Sequence, residues 1–247
     1  MDDGIAPKES VLILLRHGQS TANSAGLFTG VVDVSLTDAG FREAEWAAAI
    51  LARSNLGGMR ILASPMRRAR ETVDVLLESH ADIVAIFDWR LSERNYGALT
   101  GRTKSEVLEE FGPELFRLWR RSANVAPPPM SDARAVELGV DVAHFGFTES
   151  LEDVIARVRE CYLDAILPTL TPERPLLVVA HGNSLRALCA VLDNLSDEEV
   201  AELNIPTGQP LLYRIDQQGI NTTPGGEYLD PATALAASAL IAHEGGT

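Results

Sequence analysis

Apolar residues in this chain fall into two patterns, unbroken short runs and stripes at helical spacing. Residues 11–15 (Val-Leu-Ile-Leu-Leu) and 176–180 (Leu-Leu-Val-Val-Ala) are continuous runs without alternation. That is the pattern of strands covered on both faces, as in a parallel sheet between helical layers. Residues 61–63, 83–87 and 211–215 predict three more strands. Between the runs, four stripes predict amphipathic helices: Phe41, Ala44, Ala48, Leu51; Met66, Ala69, Val73, Leu76, Leu77; Leu151, Val154, Ile155, Val158, Tyr162, Ile166; and Leu185, Leu188, Leu192, Leu195. Thr37 and Ser64-Pro65 are start signals, and Thr103 with Glu106 and Ser196 with Glu199 have capping-box spacing. Gly112-Pro113 splits residues 104–121 into two helical pieces.

Strands alternating with helices predict a three-layer α/β/α fold with a mostly parallel central sheet. One domain over residues 1–247 is expected. Residues 21–34 lack periodicity and are expected to form a loop over a crevice. Residues 91–147, with Pro-rich 122–147 inside them, are expected to be an insertion forming a wall or lid. Residues 225–247 form a C-terminal tail, with an Ala-rich helix expected at 232–242.

Both long runs end alike, in Arg16-His17-Gly18-Gln19-Ser20 and in His181-Gly182-Asn183-Ser184. Ligands in open α/β sheets lie beyond the carboxyl ends of the strands. Two of the five histidines therefore stand where a crevice opens. Gly18 would let the backbone turn and approach a ligand closely. Arg16 and Arg186 nearby point to an anion, phosphate above all. Arg67, Arg68 and Arg70 crowd a helix N-terminus, where cations oppose the dipole unless an anion is held there.

Composition sharpens this picture. A net charge of -14 argues against nucleic acid and anionic membranes as partners. It also requires that a local group of cations outweigh the long-range field, which is screened over about 8 Å at physiological salt. Cys161 and Cys189 read as buried free thiols. The N-terminal ten residues lack a signal-peptide core, and no apolar run approaches a membrane span. A cytoplasmic location is expected.

A neutral His is a competent nucleophile towards phosphorus, and flanking Arg residues neutralise the equatorial oxygens. Glu93, in a turn-rich loop after a strand, is the candidate for protonating the leaving oxygen; on its own it would read as a surface ion-pair partner. A metal hydrolase would need three ligands at recognisable spacing, and neither H-x-x-x-H nor H-x-H occurs. His80, His144 and His243 lack supporting context. No G-x-x-x-x-G-K-[ST] loop is present.

The chain resembles the histidine phosphatase superfamily and, within it, the cofactor-dependent phosphoglycerate mutases. The matches are L-R-H-G-Q-S at 15–20, Asn23, F-T-G at 28–30, S-P-M-R-R-A at 64–69, E-R-N-Y-G-A-L-T-G at 93–101 with Lys104, W-R-R at 119–121, T-E-S-L at 148–151, A-H-G-N-S-L-R-A-L at 180–188 and N-I-P-T-G at 204–208. The resemblance implies that 3-phosphoglycerate and 2-phosphoglycerate are interconverted through a phosphohistidine, with 2,3-bisphosphoglycerate as primer and no metal. His17 would carry the phosphoryl group and Glu93 would move the proton. Arg16, Arg68 and His181 would line the phosphoryl pocket, assisted by Asn23, Gly182 and Asn183. Thr29, Gly30, Arg94, Asn95, Tyr96, Lys104, Arg120 and Arg121 would hold the remainder of the substrate. A homo-oligomer, dimer or tetramer, is likewise implied.

Some positions depart from the family pattern. Asn95 replaces a usual His, residues 131–147 lack the R-Y-P-G-H run, Val31-Val32 replaces a Trp-Tyr pair, and the tail ends Glu244-Gly245-Gly246-Thr247 without lysines. A phosphatase of small phosphorylated metabolites on the same scaffold is the alternative. A non-catalytic phospholigand-binding protein is a weaker one.

Overall fold

The computed structural model describes residues 8–54, 58–78 and 83–243. Expectations for Gly57, His80 and the end of the tail lie outside them. Six strands form one sheet: β1 (Ser10–Arg16), β2 (Arg60–Ala63), β3 (Ala85–Phe87), β4 (Leu176–Ala180), β5 (Leu211–Ile215) and β6 (Glu227–Tyr228), in the order β3-β2-β4-β1-β5-β6. The pairings of β3 with β2, β2 with β4 and β4 with β1 are parallel. Those of β5 with β1 and β6 with β5 are antiparallel.

The unbroken apolar runs are explained by what covers each face. From β1, Leu12 and Leu14 point into one core, and Ile13 and Leu15 into the other. Leu176 and Val178 of β4 join the first core, and Leu177 and Val179 the second. The first core is closed by α7 (Leu151–Cys161) and α8 (Gly182–Asp193), the second by α2 (Asp38–Arg53) and α3 (Arg67–Glu78). Both cysteines lie in or against the first core, where burial pushes each thiol up to about 12.

Local start signals fold largely as the sequence expects. Thr37 caps α2, accepting from the amide of Gly40. Thr103–Glu106 and Ser196–Glu199 form reciprocal capping boxes on α4 (Lys104–Arg121) and α9 (Asp197–Glu202). Helix α4 is kinked at Gly112, whose φ is 76°.

Three expectations need correction. The 21–34 loop opens with a short helix, α1 (Thr21–Ser24), because Ser20 and Asn23 close a capping box. Helix α3 starts at Arg67, later than Ser64-Pro65 would place it. Its first amide is met by Asp33 Oδ1 at 2.6 Å, and Ser64 is drawn to a histidine instead. The 122–147 segment contains α5 (Asp132–Leu138) and α6 (Val142–Phe145). Its strands of backbone are tied to the 95–98 loop by Ala98 N to Pro128 O at 2.8 Å and Asn95 Nδ2 to Gly146 O at 3.0 Å. α10 (Pro231–His243) ends the described chain. Among the described residues, no helix is long and apolar enough to cross a membrane.

Candidate active site

The β1–β4 register sets Arg16 opposite Ala180, so the next residues along, His17 and His181, emerge side by side at the carboxyl ends of parallel strands. The amide of His17 donates to Ala180 O at 3.1 Å, and the two imidazoles lie 4.9 Å apart edge to face. On the other side of β4, Ser64 follows β2 and donates its amide to Val179 O. Its hydroxyl reaches His181 Nε2 at 2.7 Å.

His17 Nδ1 lies 2.7 Å from the carbonyl of Gly18. A carbonyl only accepts, so Nδ1 carries the proton and Nε2 holds the lone pair. Arg68 Nε donates to that Nε2 at 3.2 Å. Burial, then Arg68 and Arg16, hold the His17 pKa well below the usual imidazole value, against a small opposite pull from the Gly18 carbonyl. The ring is neutral and its Nε2 is nucleophilic at neutral pH. His181 is lowered in the same sense by burial, Arg68, His17 and Arg16. Ser64 Oγ accepts from Met66 N at 3.3 Å, which leaves its proton for His181 Nε2. When Ser64 donates in this way the His181 proton sits on Nδ1, a buried atom without a hydrogen-bond partner among the described residues.

Arg68 is fully buried, its pKa lowered to about 10 by desolvation, so it remains charged at neutral pH. Its terminal nitrogens donate to the carbonyls of Val32 and Gly30, each at 3.0 Å, which ties the 29–33 loop to the histidines. Arg16 donates to Ile205 O at 2.8 Å, so the 204–208 loop backs it. Glu93 Oε1 accepts from Arg94 N at 2.8 Å, Asn183 N at 3.3 Å and Asn183 Nδ2 at 3.0 Å. Asn183 Nδ2 also reaches the Tyr96 hydroxyl at 2.9 Å.

These groups share one cleft. Arg16, His17, Asn23, Thr29, Gly30, Arg68, Glu93, Tyr96, Lys104, Arg120 and Asn183 line it, together with Phe28 of the F-T-G match and with Leu27, which carries no signal in the sequence. His181 lies immediately behind His17, and Gly182 begins α8. The remaining residues turn elsewhere. Arg94 is buried with Nε on Glu149 O. Asn95 is buried, donating to Gly146 O and accepting from Gly97 N, so it braces the loop. Arg121 donates to Ala201 O and Asn204 Oδ1 and anchors the α9 end. Arg186 holds Val200 O and Asn183 Oδ1 rather than an anion. Of the three arginines at the start of α3, only Arg68 enters the cleft; Arg67 pairs with Glu71 at the surface, and Arg70 bonds Pro65 O.

Gly18 also meets a neighbouring helix. A Cβ there would fall 2.1 Å from Gly40 O, so the close approach that requires glycine here is to the first turn of α2. His144 stacks on Trp89 with ring centroids 4.3 Å apart and bonds Asp141, away from the cleft.

Comparison with known proteins places this geometry. The model of the histidine phosphatase superfamily (branch 1) matches residues 12–223. The chain is 45% identical over 243 residues to the 2,3-bisphosphoglycerate-dependent phosphoglycerate mutase of Rhodococcus jostii (strain RHA1), spanning 95% of this chain and 96% of that protein. It is 44% identical over 243 residues to the enzyme of the same name from Corynebacterium efficiens (strain DSM 44549 / YS-314 / AJ 12310 / JCM 11189 / NBRC 100395), spanning 95% and 97%. Among solved structures, Mycobacterial hydrolase 1 is similar with a TM-score of 0.71 and 26% identity, over 86% of this chain and 95% of that one. A mycobacterial glucosyl-3-phosphoglycerate phosphatase in complex with VO3 is similar with a TM-score of 0.67 and 28% identity, over 83% and 92%.

Proposed function

This chain belongs to the histidine phosphatase superfamily, and from that premise we propose that it is a 2,3-bisphosphoglycerate-dependent phosphoglycerate mutase, interconverting 3-phosphoglycerate and 2-phosphoglycerate. The observation that carries the reading is a neutral His17 Nε2 facing Arg68 in a cleft that also holds Glu93 and a further pair of cations, Lys104 and Arg120. A phosphatase needs to grip one phosphate. A mutase must also hold a carboxylate and, in the bisphosphate, a second phosphate.

The residues fit a bisphosphorylated primer. Arg16 and Arg68 at the histidines match one phosphate, and Lys104 and Arg120 match the substrate's other anionic groups. The unpartnered, buried Nδ1 of His181 is a donor that a phosphoryl oxygen would satisfy; a buried donor left unmet costs about 1–3 kcal/mol. When bound, 2,3-bisphosphoglycerate supplies the phosphoryl group that charges His17.

His17 Nε2 attacks phosphorus in line with the leaving oxygen. The P–O bond breaks as the P–N bond forms, and the leaving oxygen takes a proton from Glu93. Three N–H donors fall on Glu93 Oε1, which leaves Oε2 to exchange that proton. In the return step the substrate hydroxyl attacks phosphorus, the P–N bond breaks, and the hydroxyl proton passes to Glu93. Arg16, Arg68 and His181 stabilise charge on the equatorial oxygens throughout, the electrostatic assistance on which phosphoryl transfer chiefly depends. From the 91–147 insertion, Glu93, Tyr96, Lys104 and Arg120 line the cleft, and the 122–147 segment backs the 95–98 loop behind them; enclosure of this kind limits water, and with it hydrolysis of the phosphoenzyme.

We read the chain as one cytoplasmic domain that assembles as a homo-oligomer, a dimer or tetramer, in keeping with the family resemblance. A phosphatase is the second reading, favoured by the likeness to the solved phosphatase. An enolase-coupled assay with 3-phosphoglycerate, with and without 2,3-bisphosphoglycerate, separates the two. Formation of 2-phosphoglycerate that rises with added bisphosphate is the expected result. Phosphate release without 2-phosphoglycerate would overturn the mutase reading.

A further inference from the structure

Glu93 is carried on backbone with no regular secondary structure, between a 3₁₀ turn (Trp89–Leu91) and a second (Gly97–Leu99). Strand or helix hydrogen bonds do not fix its position, so something else must. Beneath it lies an ion pair between Arg157 of α7 and Glu149, 2.8 Å apart, with both side chains 6% exposed.

All five N–H groups of Arg157 are used. Nε and one N–H of Nη2 grip Glu149, at 2.8 and 3.2 Å. The others donate to the carbonyls of Arg90 at 2.6 Å, Ser92 at 2.9 Å and Glu93 at 3.2 Å. Glu149 completes the frame. Its Oε2 accepts from Asn95 N at 2.7 Å, its amide donates to Asn95 O at 2.9 Å, and its carbonyl accepts from Arg94 Nε at 2.8 Å. The pair thus contacts the chain on both sides of Glu93 and at Glu93 itself.

Stability alone is a poor reason for such a pair. Desolvating two charges costs as much as their attraction returns, and apolar replacements of similar volume are often neutral or better. A guanidinium fork is, however, a rigid five-donor template with fixed directions. Helix α7 packs against α8, whose Asn183 holds the Glu93 carboxylate directly.

We propose that Arg157 and Glu149 are positioning residues for the proton-transferring carboxylate, fixing the Glu93 backbone as Asn183 fixes its side chain. This rests on the reading of Glu93 as the proton donor and acceptor. Misplacing a reacting group by about 1 Å can cost 10²-fold.

The test is a double-mutant cycle on the full-length enzyme, with 3-phosphoglycerate as substrate and rates normalised to the amount of His17 that accepts label from ³²P-bisphosphoglycerate. Glu149→Gln keeps the shape and one acceptor oxygen while exchanging the other, and the charge, for an NH2 that cannot accept from Arg157 or Asn95, and so guards against an Arg157→Gln variant that fails to fold. Each substitution is expected to lower kcat about 10- to 100-fold with KM changed less than about threefold. In a Glu93→Gln background the same substitutions should cost less than about threefold more, because the group they position is already gone. Equal losses in both backgrounds, or no loss in either, would overturn the proposal. If Glu93→Gln alone retains wild-type kcat, the reading of Glu93 fails first, and the two failures are told apart by that single variant.

Discussion

The two His-Gly turns begin from nearly the same sequence and end as different tools. At the β1 turn the chain curls back, so that the Gly18 carbonyl takes the Nδ1 proton and Nε2 is turned towards Arg68 and the cleft. At the β4 turn the chain runs directly into the twelve residues of α8, and His181 Nε2 is committed to Ser64. What differs is the neighbour that claims one ring nitrogen. A strand-end imidazole becomes a nucleophile or a donor according to which nitrogen its surroundings occupy.

The comparison is broken most severely by removing each ring in turn. His17→Ala is expected to abolish both mutase turnover and acid-labile phosphoenzyme. His181→Ala should still accept label at His17, about 10²–10³-fold more slowly, as for loss of one donor to developing charge. Label persisting in His17→Ala would reject His17 as nucleophile; equal loss of label in both variants would erase the distinction between the turns.

Acid stability tests what the turns share. Both imidazoles are held neutral by burial beside guanidinium groups, whereas in the unfolded chain they take up protons near pH 6.5. The unfolded state therefore binds more protons below that pH. Stability is complete above about pH 6.5 and falls as pH drops, by at most about 1.4 kcal/mol per pH unit for each ring. Urea melts in phosphate-free buffer between pH 6.5 and 5 should show a flatter pH dependence for the His17→Ala/His181→Ala double variant than for the wild type. Parallel curves would mean that the rings are not held neutral.

The smallest effect concerns Ser64. Ser64→Ala removes one hydrogen bond and leaves the His181 proton free to move between nitrogens, so kcat should fall roughly 2- to 10-fold. His17 labelling should fall by a similar factor. An unchanged kcat would show that another group orients His181.

How much of this the sequence discloses depends on the range of the forces involved. Caps at Thr37, Thr103 and Ser196 and the kink at Gly112 are settled within a few residues and are legible as such. The apolar runs disclose burial on two faces. They do not disclose that β5 is antiparallel, since an antiparallel strand buried on both faces carries the same pattern. Helices α5 and α6 are short and stand beside a proline run, so their periodicity never accumulates. In the site, residues at strand ends are legible because the fold class itself puts strand ends at a crevice. Arginines are not. Arg94, Arg121 and Arg186 have the charge a phosphate needs, but each spends donors on backbone carbonyls contributed by distant segments. Ser64 was within reach of the same rule that found the histidines, because it follows β2, the neighbour of β4. Glu149 is marked only through the T-E-S-L match, which assigns it no role, and Arg157 by nothing: an acidic and a basic residue eight apart on and before a helix also describe an ordinary solvated face.

Gly18 and Gly40 meet main chain to main chain, and a methyl on either would lie 2.1 Å from an opposing carbonyl oxygen. The clearance between the nucleophile's turn and the adjacent helix is thus thinner than one carbon atom, and no side chain is there to give way. Any residue introduced at either position acts as a wedge, and the part most directly moved is the imidazole next door. Variation at these two sites should therefore register as an altered transfer rate before it registers as an unfolded protein.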